Sequence, residues 1–248
     1  MEDGFCHAPF GAEYGLARKW STASRCFMRL FGIVDLPTRI RARLVLREAL
    51  RRVPECVLDL GSGAGSYSFF FSRNSAVEVC GVEINGERAD ASNRIASELG
   101  RNNLRFCAAN GLSHLRTVES SSVNLVLAVE VLQYLPDLSA VLRELNRILK
   151  PGGRFIGHVP YRGLPRPYEV FQFDDSNLKG MLMDAGFNEV RICRTFGGVV
   201  LRLCEMWDII RPNALKAVIF PVFLVISLFF PVESSDGRYM CFGAVKGK

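Results

Sequence analysis

The stretch VLDLGSGAG, residues 57 to 65, constrains this chain more than any other. An apolar run that enters glycines at 61, 63 and 65, then a helical pattern, reads as strand, tight loop and helix. That order puts backbone amides and the positive end of a helix at the carboxyl edge of a sheet. Glycines there let a ligand press against the main chain, and in open α/β sheets this edge is where ligands bind. A dinucleotide fingerprint reads G-x-G-x-x-G, whereas Gly61, Ser62, Gly63, Ala64, Gly65 and Ser66 bring the third glycine one place early. The departure weakens a nicotinamide reading and leaves it open.

The rest of the chain supports a doubly wound α/β fold. Strands are expected at Cys56–Leu60, Val77–Glu83, Leu104–Ala108, Val123–Val129 and Arg154–Val159, each short and rich in Val, Leu, Ile or Phe. Helical patterns at Gly65–Arg73, Gly86–Leu99 and Leu138–Leu149 separate them, the last followed by the breakers Lys150-Pro151-Gly152-Gly153. Such alternation implies right-handed crossovers and a parallel sheet buried on both faces. A helix over Asp174–Ala185 and strands over Glu189–Thr195 and Arg238–Val245 complete the pattern. Ahead of it, Trp20, Phe27, Phe31 and Val34 recur from Leu16 onward as an amphipathic arm, broken at Gly32. Thr38 is placed to cap a second helix running to about Arg52.

The net charge of +6 is unevenly spread, with Arg39, Arg41, Arg43, Arg47, Arg51 and Arg52 inside fourteen residues. A solvated helix flank explains them. Two other readings are attraction to an acidic membrane surface and one arginine turned inward to a ligand carboxylate. No aromatic-and-basic module accompanies the run, so nucleic acid is not an expected partner, and no feature fixes an oligomeric state. Eight cysteines lie without a CxxC pair or zinc spacing, which reads as reduced thiols of a cytoplasmic protein with no metal. The acidic start MEDGFCHAPF is unlike a signal peptide.

Glu83, closing VEVCGVEIN, is a carboxylate able to accept both hydroxyls of an adenosine ribose. Together VLDLGSGAG, VCGVEIN, LRFCAANGL, VNLVLAVEVLQYLPD and LNRILKPGGRF, with DAGFNEVRI after them, resemble the class I S-adenosylmethionine-dependent methyltransferases over roughly Cys56–Ile192. The resemblance implies a seven-stranded Rossmann-like sheet whose last strand is antiparallel. With the residue pattern it divides the chain into a helical arm or lid over residues 1–53, a cofactor-binding core over 54–195, an apolar helical insertion over 196–237, which the alternation alone does not predict, and a last core strand over 238–248. The resemblance also implies that Asp59, Gly61, Ser62, Gly63 and Gly65 line the methionyl and sulfonium part of S-adenosylmethionine. Glu83 would then hold the ribose, Ile84 pack on adenine, Asn110 and Gly111 border the adenine amino edge, and Glu130 border the methionyl end. Relatives commonly carry aspartate where Asn110 stands. Asp59 has a plainer role open to it, bracing its loop.

A sulfonium already activates its methyl group, so the protein has chiefly to exclude water and hold a nucleophile in line. Tyr134, His158 and Tyr161 are the candidate bases. Many relatives have glutamate and histidine in place of Gln133 and Tyr134, so that histidine does not carry over. AVIFPVFLVISLFFPV, residues 217 to 232, spans roughly 24 Å as a helix and contains Pro221, too short for the roughly 30 Å hydrocarbon core. It reads as a buried helix, a lid over an apolar acceptor, or an in-plane anchor giving peripheral membrane contact. The expected activity is methyl transfer to a small, hydrophobic acceptor. Alternatives are alkyl transfer or cyclisation releasing methylthioadenosine, an NAD-binding oxidoreductase, and an inactive cofactor-binding module.

Overall fold

The computed structural model describes residues 8–13, 21–162, 169–211 and 213–247. Leu16 and Trp20 of the expected arm lie outside them. Seven strands form one sheet: β1 (Cys56–Leu60), β2 (Glu78–Glu83), β3 (Leu104–Ala108), β4 (Val123–Val129), β5 (Leu149–Pro160), β6 (Phe187–Thr195) and β7 (Tyr239–Lys246). Their order is β3-β2-β1-β4-β5-β7-β6, and β7 runs antiparallel to both neighbours. The strand order reverses between β1 and β4, so the loop after β1 opens at the switch point.

The strands are buried on both faces. Leu58, Leu60, Val126, Ala128, Phe155 and Phe242 pack to one side with Leu142, Leu145 and Leu182. Val57, Leu125, Leu127 and Ile156 pack to the other with Phe69, Phe71, Val45 and Ala49. The helices behind these layers are α2 (Leu36–Ala49), α3 (Ser66–Phe71), α4 (Gly86–Glu98), α5 (Gly111–Thr117), α6 (Leu138–Ile148) and α7 (Asp175–Asp184), with α1 (Thr22–Phe31) ahead of them.

Three local details differ from the sequence expectations. Asp35, not Thr38, caps α2, its carboxylate accepting the Thr38 amide at 3.0 Å. Pro37 falls in the first turn, where its missing N–H breaks no helical bond, so the helix begins ahead of it. Helix α6 stops at Ile148, and Leu149 enters β5 directly, with a register irregularity between Val123 and Leu125 that absorbs the Lys150–Gly153 turn. Helix α5 was not anticipated, because seven residues are too few for an apolar period to show.

The insertion folds as α8 (Gly198–Ile209) and α9 (Asn213–Leu228). Trp207 and Phe220 pack with Leu36, Ile40 and Leu44 of α2 in a third apolar cluster. The other face of α9 stays in solvent: Val218, Val222 and Val225, with Phe229 just past the helix end, recur at helical spacing and are all more than half exposed. Among the described residues no helix is long and apolar enough to cross a membrane.

Candidate functional site

After β1 the main chain turns through Gly61, Gly63 and Gly65, all at positive φ. The Gly61 and Ser62 amides donate to the Val82 carbonyl at 2.8 and 3.0 Å, which ties the loop to β2. A side chain at Gly65 would strike the Phe106 ring, whereas one at Gly63 would meet nothing within 4 Å. Gly63 therefore faces open space, in a backbone conformation that only glycine adopts without strain. A cavity of about 250 Å³ opens there, walled by Asp59, Gly61, Ser62, Gly63, Ser66, Tyr67, Val129 and Glu130, with Phe10 and the Thr38 and Arg41 of α2. Ser62 Oγ and Tyr67 Oη are buried without a hydrogen-bond partner, so two hydroxyls of the cavity wall still have bonding capacity.

Asp59 is buried and accepts the Ser68 hydroxyl at 2.7 Å, bracing the first turn of α3. Burial pushes its carboxyl up to about 6; the Ser68 bond pulls the other way and the Glu83 charge adds to the rise. Burial likewise pushes the Tyr67 hydroxyl well up, so it remains a donor at neutral pH.

Glu83 ends β2 beside the loop. Its Oε2 accepts the Gly63 amide and its Oε1 the Asn85 amide, each at 2.9 Å. Ionised carboxylates have about four lone-pair sites, so half of its acceptor capacity is left, in an orientation fixed by two main-chain donors. Ile84 next to it is 76% exposed, an apolar face with no neighbour over it among the described residues. Asn110 is exposed and caps α5, accepting the Ser113 amide at 3.3 Å, with Gly111 beginning the helix.

Glu130 follows β4 in the left-handed region at φ 57°, an uncommon conformation for a residue with a side chain. Its Oε1 lies 2.6 Å from His158 Nδ1 and 3.5 Å from an Arg41 nitrogen. A carboxylate only accepts, so a proton sits on Nδ1, and Nε2 lies within hydrogen-bond reach of the Thr195 hydroxyl at 3.3 Å. His158 is fully buried, stacked on Tyr239 and bonded through Nδ1 to Glu130. Tyr134 is on the exposed turn after β4 and Tyr161 lies under the Arg194 guanidinium at 3.8 Å; neither is among the residues walling the cavity.

The fold thus brings Asp59, Gly61, Ser62, Gly63 and Glu130 to one cavity, with Glu83 tied to Gly63 beside it. It adds Phe10, Thr38, Arg41, Ser66 and Tyr67, which the motifs did not reveal. Arg41 could have been found only through the arginine run, as the residue that turns inward. The walls include nothing from α8 or α9, where the sequence had suggested a lid. Gln133 is buried with both carboxamide atoms unpartnered, one residue before Tyr134. A larger hollow of about 490 Å³ lies at the other end of the sheet, but Arg154 and Lys246 there are bonded to main-chain carbonyls and close helix and strand ends.

A family profile described as a methyltransferase domain matches residues 54–184. An arsenite methyltransferase of Halobacterium salinarum is 31% identical over 152 residues, covering 56% of this chain and 38% of that protein. A sterol 4-C-methyltransferase of Caenorhabditis elegans is 31% identical over 100 residues, 40% of this chain and 29% of its own length. The chain thus spans well under half of either relative. Among solved structures, the YcgJ protein of Bacillus subtilis superposes with a TM-score of 0.59 at 18% identity, over 83% of this chain and 97% of that one. The likeness is one of fold.

Proposed function

The chain belongs to the class I S-adenosylmethionine-dependent methyltransferases, and from that membership we propose that it binds S-adenosylmethionine at the switch point and transfers the methyl group to a small, hydrophobic acceptor. The observation that carries the reading is Glu83, held by two amides beside the open face of Gly63 with acceptor capacity left for two ribose hydroxyls. Ile84 would cover the adenine ring, bordered by Asn110 and Gly111. Asp59 and the glycine loop would surround the ammonium and sulfonium end, and Arg41 would meet the carboxylate.

Bound S-adenosylmethionine supplies a methyl group already activated by its sulfonium. The protein's part is to exclude water and align the nucleophile. Phe10 and Tyr67, in contact at 5.1 Å between ring centroids, supply the apolar side of the cavity. Glu130 is the cavity carboxylate able to accept a proton from an acceptor hydroxyl or amine, with His158 and Arg41 fixing its direction. Tyr134 and Tyr161 would act only on an acceptor reaching beyond the cavity wall.

Calorimetric titration with S-adenosylmethionine and with NAD, followed by mass spectrometry of a reaction with apolar acceptors, tests this. Binding of the former and formation of S-adenosylhomocysteine are expected. Methylthioadenosine as product would replace methyl transfer by alkyl transfer or cyclisation. Response to NAD alone would make the chain an oxidoreductase, and binding without turnover would leave a cofactor-binding module.

The α9 stripe supports a second element of the reading, peripheral contact with lipid from which a greasy acceptor is drawn. Val222→Glu with Phe229→Glu is expected to lower flotation with phosphatidylglycerol vesicles several-fold at unchanged cofactor affinity. Equal flotation of the native chain and this variant would end that part of the proposal.

A further inference from the structure

Away from the glycine loop, three side chains of metal-ligating type converge between β2, β3 and α5. Cys80 Sγ lies 3.8 Å from Cys107 Sγ and 3.8 Å from His114 Nε2, and all three atoms fall within 4.8 Å of one another. A tetrahedral ion with metal–sulfur bonds of about 2.3 Å has ligand-to-ligand edges of about 3.8 Å. Two of the three edges already have that length. Side-chain direction and helix placement account for the convergence. Parallel pairing sets Cys80 opposite Arg105 and Val82 opposite Cys107, so the cysteines share a face of the sheet two positions apart. Asn110 caps α5, and His114 follows one turn later, its amide donating to the Asn110 carbonyl at 3.0 Å, on a helix that packs against β2.

From this geometry we propose that Cys80, Cys107 and His114 bind a thiophilic d10 metal ion, with zinc as the probe. Two sulfurs and an imidazole suit zinc or monovalent copper and not the hard cations magnesium and calcium. Three protein ligands leave the fourth tetrahedral position to water, as in open zinc sites. Cys107 and His114 are half-buried, so the cluster is reachable from solvent on their side while the surrounding strands fix it. Uptake of a divalent ion releases the two thiol protons and forms a charge-neutral metal–dithiolate unit. Arg105, paired with Cys80 across the β2–β3 ladder, shares the face of the sheet on which the two sulfurs lie. The ion would clamp together β2, β3 and α5. The spacing of 80, 107 and 114 along the chain resembles no zinc motif, which is why the sequence offered no metal set.

The full chain, reduced and freed of metal by a chelator, is titrated with cobalt and then zinc. One equivalent of cobalt is expected to produce a near-ultraviolet thiolate-to-cobalt absorption that zinc abolishes, and zinc is expected to raise the unfolding temperature. Cys107→Ser and the more surface-lying His114→Ala should each weaken zinc binding more than tenfold, while Cys56→Ser, on β1, leaves it unchanged. Circular dichroism identifies which of the two variants folds, and either one suffices. Absence of the absorption, its survival in a folded variant, or ready closure of a Cys80–Cys107 disulfide in a chain that takes up no metal when reduced would overturn the proposal.

Discussion

Replacing Glu83 by alanine is expected to weaken S-adenosylmethionine binding at least a hundredfold while the chain still folds. In the proposed complex the carboxylate accepts two ribose hydroxyls, and hydrogen bonds to a charged group contribute about 1.5 to 3 kcal/mol each. Their joint loss, about 3 kcal/mol at the least, corresponds to a factor above a hundred. A second effect adds to it. The same carboxylate now receives the Gly63 and Asn85 amides, so its removal loosens the glycine loop at Gly63, where the nucleoside would lie, while the Gly61 and Ser62 amides still hold the loop to Val82. Glu83→Gln separates the two effects, because a carboxamide keeps one oxygen for the loop and loses one acceptor; its affinity should fall between the other two. The measurement is calorimetric titration, with thermal unfolding as the control for folding. Native-like affinity in Glu83→Ala would put the ribose elsewhere and remove the basis of the functional assignment.

What the sequence made legible follows from how local each cause is. The strand–glycine–helix unit and the carboxylate closing β2 are written in contiguous residues, because a turn that needs positive φ at 61, 63 and 65 admits little besides glycine. The strands were readable from short apolar runs, and the antiparallel β7 came from the family likeness, since nothing within Tyr239–Lys246 encodes its direction. Causes that act across the chain stayed hidden. Arg41 looked like one of a row of solvated arginines until α2 packed on the sheet and turned it to Glu130. His158 was a candidate base from its place in IGHVP, a pattern that does not show its two ring nitrogens facing Glu130 and Thr195 in the fold. Residues 217–232 read equally as core or lid, because a one-dimensional pattern gives the apolar content of a helix and not which face meets a neighbour. In the structure one face packs on Trp207 and the other remains bare.

Asp59→Asn should move stability and binding in opposite directions. The Asp59 carboxyl titrates at about 6 in the folded chain against 3.8 for the ordinary group, chiefly because burial disfavours its charge. The folded state therefore holds this proton more tightly than the unfolded chain. The stability it brings is complete below pH 3.8, declines as the pH rises through the interval up to about 6, and is gone above it. Above pH 6 the buried carboxylate is a standing cost of about 3 kcal/mol, from two units at about 1.4 kcal/mol each. Asparagine keeps an oxygen for the Ser68 hydroxyl and removes the charge. The cofactor-free variant should accordingly gain up to about 3 kcal/mol at pH 8 and nothing at pH 4, read from denaturant midpoints at the two pH values. Binding should change the other way. A ligand carrying an ammonium and a sulfonium favours the ionised carboxylate, so native affinity should fall as the pH drops below about 6, where a proton must leave before binding. Asp59→Asn should bind at least tenfold more weakly at pH 8 and show no such fall. A variant less stable than the native chain at pH 8 would mean that the carboxylate braces α3 by more than its burial costs, and the cost ascribed to the buried charge would be wrong.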